Sequence, residues 1–263
     1  MMSRFWLGLI AAAAACGGGS QVNPAVSPAP APASRPQETA TRAVIDSLWR
    51  RSEWAVRHGK WSDAEKLLGR VLLEMSPGDT RISQAHFWMG ESYFARGQQL
   101  DAAREFRKAS DETPNHPIAP EALLRVGDVY ADLWRRPELD PTYGQTALAT
   151  YQELLNRYPG TTAAKRAQLQ IADLNERFAY KTYRAALFYY RLKAYDSAIL
   201  YLKDLIANYP KAVVAPDALV KLVQAFRTLG YREDVQETCD YIRRFHPKAP
   251  GAGEVCPTDS TGA

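Results

Sequence analysis

The chain has 263 residues, and its 33 Lys and Arg residues against 29 Asp and Glu residues give a formal net charge of +4. This balance excludes a strongly basic nucleic-acid-binding protein, because such binding needs a concentrated basic stripe. The composition fits an exported, soluble, helical protein, and no nucleic-acid partner is expected.

Residues 1–15 read MMSRFWLGLIAAAAA, with Arg4 ahead of the apolar run. This pattern predicts a secretory signal peptide, because the apolar run is too short to span a bilayer as a mature helix. Cys16 follows directly, as in the lipobox of bacterial lipoproteins, so acylation of its thiol is predicted. Ala13 stands where that motif usually has Leu, and ordinary cleavage after Ala15 remains the alternative.

Residues 16–40, CGGGSQVNPAVSPAPAPASRPQETA, are predicted to be a disordered tether after the lipidated cysteine. They hold too few large apolar residues to fold, and their prolines favour extended backbone. Gly17, rather than Asp, after the cysteine resembles lipoproteins that continue to the outer membrane. The expected location is therefore the periplasmic face of the outer membrane, through a lipid anchor.

Five amphipathic stretches between residues 41 and 250 each end in a proline, within EMSPG, DETPN, NRYPG, ANYPK and RFHPK. These prolines are Pro77, Pro114, Pro159, Pro210 and Pro247. Proline lacks an N–H and pushes the preceding residue out of helical space, so each one marks the end of a helix. A sequence pattern that recurs in this way predicts a repeat fold, because one helix pair cannot bury its own apolar face.

The clearest repeat lies between Gln84 and Pro114, where small and aromatic residues alternate at fixed offsets. Its key positions are Gly90, Tyr93, Gly97, Ala102, Phe106 and Ala109. This spacing resembles the tetratricopeptide repeat. It predicts an all-α, tetratricopeptide-like solenoid of about five antiparallel helix pairs. The stretch from Thr161 to Leu192 has no helix breaker and predicts one long helix.

After the solenoid, residues 251–263 are predicted to form a flexible C-terminal tail. Cys239 and Cys256 are a possible disulfide in an oxidising periplasm, which would pin the tail to the last helix. The alternative is that Cys239 is a small core residue.

Most of the chain from Thr41 to Pro247 resembles the BamD family. The similarity is most specific in DPTYGQTALATYQELLNRYPGTTAAKRAQLQIADLNERFA and continues in AYDSAILYLKDLIANYP. It implies a scaffold that docks on the periplasmic domains of a BamA-like barrel-insertion channel and presents unfolded outer-membrane proteins to it. Leu200 and Tyr201 stand where the family often has Asn-Arg, so the resemblance implies no basic contact there.

A second resemblance is to the CpoB family, carried by FWMGESYFARGQQLDAAREF and APDALVKL. It would imply a periplasmic protein that coordinates Tol function and cell-wall synthesis during envelope constriction. That family typically begins with a coiled coil and carries no lipid. Here a Pro-rich tether leads directly into the helices.

Enzyme motifs are not found in the sequence. The four histidines have no metal-ligand spacing, CGGGS is not a phosphate-binding loop, and no Ser lies in a nucleophile elbow. A catalytic residue, a cofactor and a metal are therefore not expected. By analogy of fold alone, a cell-wall hydrolase or its activator domain remains an alternative.

In tetratricopeptide solenoids the first helix of each pair lines the concave face. Aromatic and charged residues that the packing does not need are expected there as a peptide-binding groove. These residues are Trp49, Phe87, Glu91, Phe94, Asp128, Asp132, Tyr183 and Tyr190. The alternative for each is burial against a neighbouring repeat, and for Asp128 and Asp132 a solvated helix face.

Overall fold

The computed structural model describes residues 36–256, with side chains from residue 41 onward. Contacts divide the chain into two units, Met1–Ala40 and Thr41–Ala263, and the packing described below lies within the second unit. The helices are α1 (Pro36–Arg57), α2 (Trp61–Glu74), α3 (Ile82–Ala95), α4 (Gln99–Asp111), α5 (Ala119–Leu133), α6 (Thr142–Arg157), α7 (Thr162–Arg191), α8 (Tyr195–Asn208), α9 (Ala215–Leu229), α10 (Arg232–Phe245) and α11 (Ala252–Val255).

Ten of these helices form five antiparallel pairs, from α1 with α2 to α9 with α10. From α2 to α10 each helix packs on the next, and α3, α5, α7 and α9 also contact one another in order. The short helix α11 packs on α9. These odd-numbered helices therefore lie on the tighter, concave side of the stack. The predicted tetratricopeptide-like solenoid of five helix pairs is confirmed.

The second helix of every pair ends just before one of the predicted prolines. The last helical residues are Glu74, Asp111, Arg157, Asn208 and Phe245. Each helix ends there because proline cannot continue the hydrogen-bond ladder and restricts the residue before it.

Small residues between paired helices let the backbones approach each other. A Cβ atom on Gly90 would lie 2.6 Å from Cδ1 of Phe106, so the aromatic ring occupies the space that a side chain would take. Ala102, Phe106 and Ala109 are fully buried. The predicted register of this repeat is therefore correct.

Helix α7 is 30 residues long, as the absence of a breaker predicted. Its first residues are capped by Thr161, whose hydroxyl accepts a hydrogen bond from the Ala164 amide at 3.1 Å. The helix contacts α5, α6, α8 and α9, so it connects the third, fourth and fifth pairs.

Two predicted boundaries differ from the structure. Helix α1 begins at Pro36, so residues 36–40, predicted to end the disordered tether, are helical. Proline is accepted in the first helical turn, where its missing N–H has no partner to lose. Residues 251–256 are not a flexible tail, since α11 forms there and Val255 and Cys256 are buried.

The turn between α7 and α8 places Lys193 in the left-handed region, at φ 59°. Gly59, Gly97 and Gly230 occupy the matching turns of other pairs, with φ of 64°, 75° and 76°. A side chain is disfavoured at such φ values. We therefore expect Lys193→Gly to raise the free energy of unfolding by about 0.5 to 1 kcal/mol.

Urea unfolding checks this expectation. Lys193→Gln removes the charge but keeps the side chain, and it should leave stability unchanged. A less stable Lys193→Gly protein would contradict the expected relief of backbone strain.

Candidate functional site

The predicted groove residues all lie on odd-numbered helices, and all eight side chains are half-buried. Trp49 is on α1; Phe87, Glu91 and Phe94 are on α3; Asp128 and Asp132 are on α5; Tyr183 and Tyr190 are on α7. Each side chain therefore packs on a neighbour and still exposes part of its surface.

Three of the eight residues meet at one cavity. It has a volume of about 320 Å³ and lies where α3, α5, α6 and α7 converge. Its walls include Phe94, Asp128, Asp132, Tyr151, Gln170 and Arg177. The cavity thus combines one aromatic face with two carboxylates and hydrogen-bond donors.

Arg125 contacts the side chains that form one wall of this cavity, and the sequence analysis did not identify this residue. Its Nε donates to Glu91 at 2.8 Å, and its Nη1 lies 3.8 Å from the Asp128 carboxylate. Its guanidinium carbon lies 4.8 Å from the centroid of the Phe94 ring. The spacing of three residues between Arg125 and Asp128 on one helix was the available signal. The arginine therefore fixes both the aromatic and the acidic side chains.

Asp128 is held by Tyr151, whose hydroxyl donates to the carboxylate at 2.8 Å. Desolvation raises the pKa of Asp128 above its ordinary value, and the hydrogen bond from Tyr151 opposes this shift only in part. Burial, reinforced by the Asp128 charge, raises the pKa of Tyr151 as well. The tyrosine therefore remains a donor and orients the carboxylate.

Asp132 lies one helical turn further along α5. It accepts hydrogen bonds from Gln99 and from Nε of Arg135, the latter at 2.8 Å. Opposite, Nη2 of Arg177 pairs with Asp173 at 2.6 Å. The polar groups around the cavity are thus fixed by neighbours before any ligand binds.

The first two predicted aromatic residues lie outside this cavity. Trp49 stacks on Trp88 with ring centroids 4.7 Å apart, and Phe87 packs against Phe106 with centroids 5.4 Å apart. Their main contacts are within the solenoid.

Tyr183 and Tyr190 also lie outside the cavity, packed against the core around α8 and α9. The ring of Tyr190 contacts Tyr195 and lies 5.0 Å from Nζ of Lys221. The eight predicted residues therefore do not all line one pocket.

A second concave surface, which the sequence did not indicate, lies between α8 and α10 over α9. Its volume is about 480 Å³. Apolar side chains of all three helices line it: Ile206, Leu219, Leu222, Phe226, Tyr241 and Phe245. Phe245 is 56% exposed although it is a large apolar residue. We call this surface the C-terminal groove.

Cys239 and Cys256 are joined in a disulfide. Both are buried, in a cluster with Val223, Ile242 and Val255. Cys16, predicted to be acylated, lies outside the described residues, as do the predicted signal peptide and most of the tether.

Within residues 36–256, no helix combines the length and the apolarity needed to cross a bilayer. Among the same described residues, no group of three or more His, Cys, Asp or Glu side chains is placed to hold a metal ion.

Comparison with solved structures gives similarity to other helical repeat proteins. The TPR domain of P58(IPK) is 13% identical, with a TM-score of 0.46, and the match covers 82% of this chain and 55% of that chain.

Comparison with curated proteins gives similarity to relatives named outer membrane protein assembly factor BamD. The Caulobacter vibrioides relative is 24% identical over 204 residues, covering 78% of this chain and 67% of the relative. The Xylella fastidiosa relative is 24% identical over 219 residues, covering 78% of this chain and 74% of the relative. The Vibrio cholerae relative is 31% identical over 103 residues, covering 39% of this chain and 43% of the relative.

Residues 43–241 match the model of the YfiO family, which is described as an outer membrane lipoprotein family. This match spans all five helix pairs except the two ends of the solenoid. The chain belongs to the YfiO family of outer membrane lipoproteins, the BamD family that its sequence resembles.

Proposed function

We propose that this protein is a non-catalytic outer-membrane scaffold that helps assemble and insert β-barrel outer-membrane proteins. The description of its family and the names of its relatives support this role. The observation that carries the proposal is the concave cavity at Phe94, because it offers an aromatic face and oriented polar groups to an extended chain.

The proposed ligand of this cavity is an unfolded outer-membrane protein, bound through an extended segment rich in aromatic residues. An aromatic side chain of the ligand would pack on Phe94, while backbone N–H groups donate to Asp128 and Asp132. Such aromatic anchors, surrounded by fixed polar groups, carry most of the binding energy in peptide interfaces.

The proposed protein partner is the periplasmic part of a BamA-like channel, bound at the C-terminal groove. Apolar residues from three helices line this groove together with four charged residues, Lys203, Asp234, Glu237 and Arg244. Nζ of Lys203 lies 3.5 Å from the Asp234 carboxylate. An apolar centre with a charged rim is typical of a protein interface. In the proposed arrangement, Cys16 carries the lipid anchor at the periplasmic face of the outer membrane.

One experiment tests both sites by comparing two phenylalanine variants. Phe94→Ala should weaken binding of a peptide that ends in an aromatic strand sequence by about 1 to 2 kcal/mol, and should leave binding of the soluble periplasmic channel domains unchanged. Phe245→Ala should weaken binding of the channel domains and leave binding of the peptide unchanged. Titration calorimetry of each variant, with circular dichroism to verify folding, gives the four affinities.

Unaltered peptide affinity in Phe94→Ala would contradict the proposed cavity. Equal losses in both variants would contradict the assignment of two separate sites.

A further inference from the structure

The outward face of α1 carries a stripe that packing does not use. Val44, Ser47, Arg51, Trp54 and His58 recur at spacings of three and four residues, so they lie on one side of the helix. All five are exposed; Val44 is 50% exposed and Trp54 is 55% exposed. The ring of Trp54 stacks on that of His58 at 4.3 Å, which holds the indole at the surface.

Basic side chains surround this tryptophan. A shallow concavity of about 650 Å³ between α1 and α2 is lined by Arg50, Arg51, Trp54 and Lys66. Asp63 is the one carboxylate among its lining residues in the described structure.

The other nearby carboxylates are already paired. Asp46 binds Arg81 at 2.7 Å and Glu53 binds Arg57 at 2.6 Å. Glu65, on α2, pairs with Arg96.

In contrast, Arg50, Arg51 and Lys66 have no ion-pair partner among residues 41–256. The surface around Trp54 therefore has an uncompensated positive charge.

We propose that this face of α1 and α2 docks on a membrane surface that carries anionic phospholipid headgroups. Arginine and lysine near such a surface are attracted to its negative potential, and tryptophan prefers the level of the headgroups. An open helical face suits a flat, fluid surface, whereas it offers an acidic protein no deep pocket. The inference rests on the outer-membrane location in the proposed function, and not on the peptide cavity.

Vesicle co-sedimentation tests the proposal. The protein used begins at residue 16 and carries Cys16→Ser, so neither the apolar signal segment nor an acyl chain contributes. It should bind vesicles of phosphatidylglycerol and phosphatidylcholine, more weakly as salt rises, and should not bind phosphatidylcholine alone. The triple variant Arg50→Gln, Arg51→Gln, Lys66→Gln should lower the partition coefficient at least about tenfold. Trp54→Ala should lower it without any change of charge.

A matched triple variant removes the same charge elsewhere. Lys165→Gln, Lys211→Gln and Arg232→Gln alter three exposed cations on α7, on the turn before α9 and on α10, and this protein should bind vesicles as the parent does. An equal loss in both triple variants, or equal binding to the two kinds of vesicle, would overturn the proposal. Binding to polyglutamate but not to vesicles would instead make this an acidic-protein surface and also overturn it.

Phe94→Ala separates this proposal from the proposed function. It should retain vesicle binding, so a failure at the peptide cavity and a failure at the membrane face are distinguishable.

Discussion

Gly127→Ala should lower the free energy of unfolding by about 3 kcal/mol. A Cβ atom on Gly127 would lie 2.3 Å from Cε1 and 2.6 Å from Cδ1 of Tyr151. The Tyr151 ring is fully buried, and its hydroxyl is bound to Asp128, so the ring cannot move away from the added Cβ atom without breaking that hydrogen bond or leaving its packed position. The helix pair α5–α6 would therefore have to separate.

Gly69→Ala is the matched control, because Gly69 also lies within a helix. Its added Cβ would approach only Cε of Met89, at 3.9 Å, which is ordinary contact. Alanine has the higher helix propensity, so this variant should gain about 0.5 to 1 kcal/mol. Urea midpoints of the two variants should move in opposite directions. An unchanged midpoint in Gly127→Ala would contradict the close contact with Tyr151.

Removal of the disulfide by Cys239→Ala and Cys256→Ala should cost about 3 kcal/mol. The two cysteines are 17 residues apart, and in the chain-entropy account the cross-link stabilises by restricting the unfolded chain. Loss of hydrogen-exchange protection should be concentrated in α9, α10 and α11, because Val255 packs there and its carbonyl accepts from Arg227 at 3.1 Å.

A reducing agent provides the control for this experiment. It should lower the unfolding midpoint of the parent protein and leave that of the double alanine variant unchanged. A parent protein whose midpoint does not respond to reductant would contradict the expected contribution of the disulfide.

Much of the fold was predictable because its signals are local. Pro159 and Pro210 end helices through their own backbone chemistry, and α7 is long because nothing between Thr162 and Arg191 interrupts it. These effects act within a few residues, so they do not depend on what packs against the helix.

Other features of the fold have no local signal. A Cβ atom on Gly144 would lie 2.2 Å from Cε3 of Trp134, so Gly144 lets these two helices approach closely. The eight-residue loop from Trp134 to Pro141 between α5 and α6 nevertheless shifts Gly144 off the repeat spacing. Helix α11 has four residues, too few for any periodic pattern. Burial of Val255 and the bond to Cys256 stabilise it, and both are tertiary contacts.

The candidate site was also predictable in part from local sequence and in part only from tertiary contacts. Helical periodicity was sufficient to place Phe94, Asp128 and Asp132 on concave-side helices. Helical periodicity gives no distance between one helix and another. The prediction therefore placed Phe94, Asp128 and Asp132 in one groove with Trp49 and Tyr190, which pack against other parts of the solenoid.

The sequence by itself determined the fold class and the approximate number of helix pairs, because repeat spacing and helix-breaking prolines are properties of the chain as written. It indicated the BamD family by resemblance and left the CpoB family as the alternative, and the match to the YfiO family model decided between them. Only the tertiary structure decided which side chains meet. Arg125 reaches Glu91 across 34 residues, and Tyr151 reaches Asp128 across 23. Such contacts depend on how the volumes of buried residues set the angle and spacing of stacked helices, which no short stretch of sequence specifies.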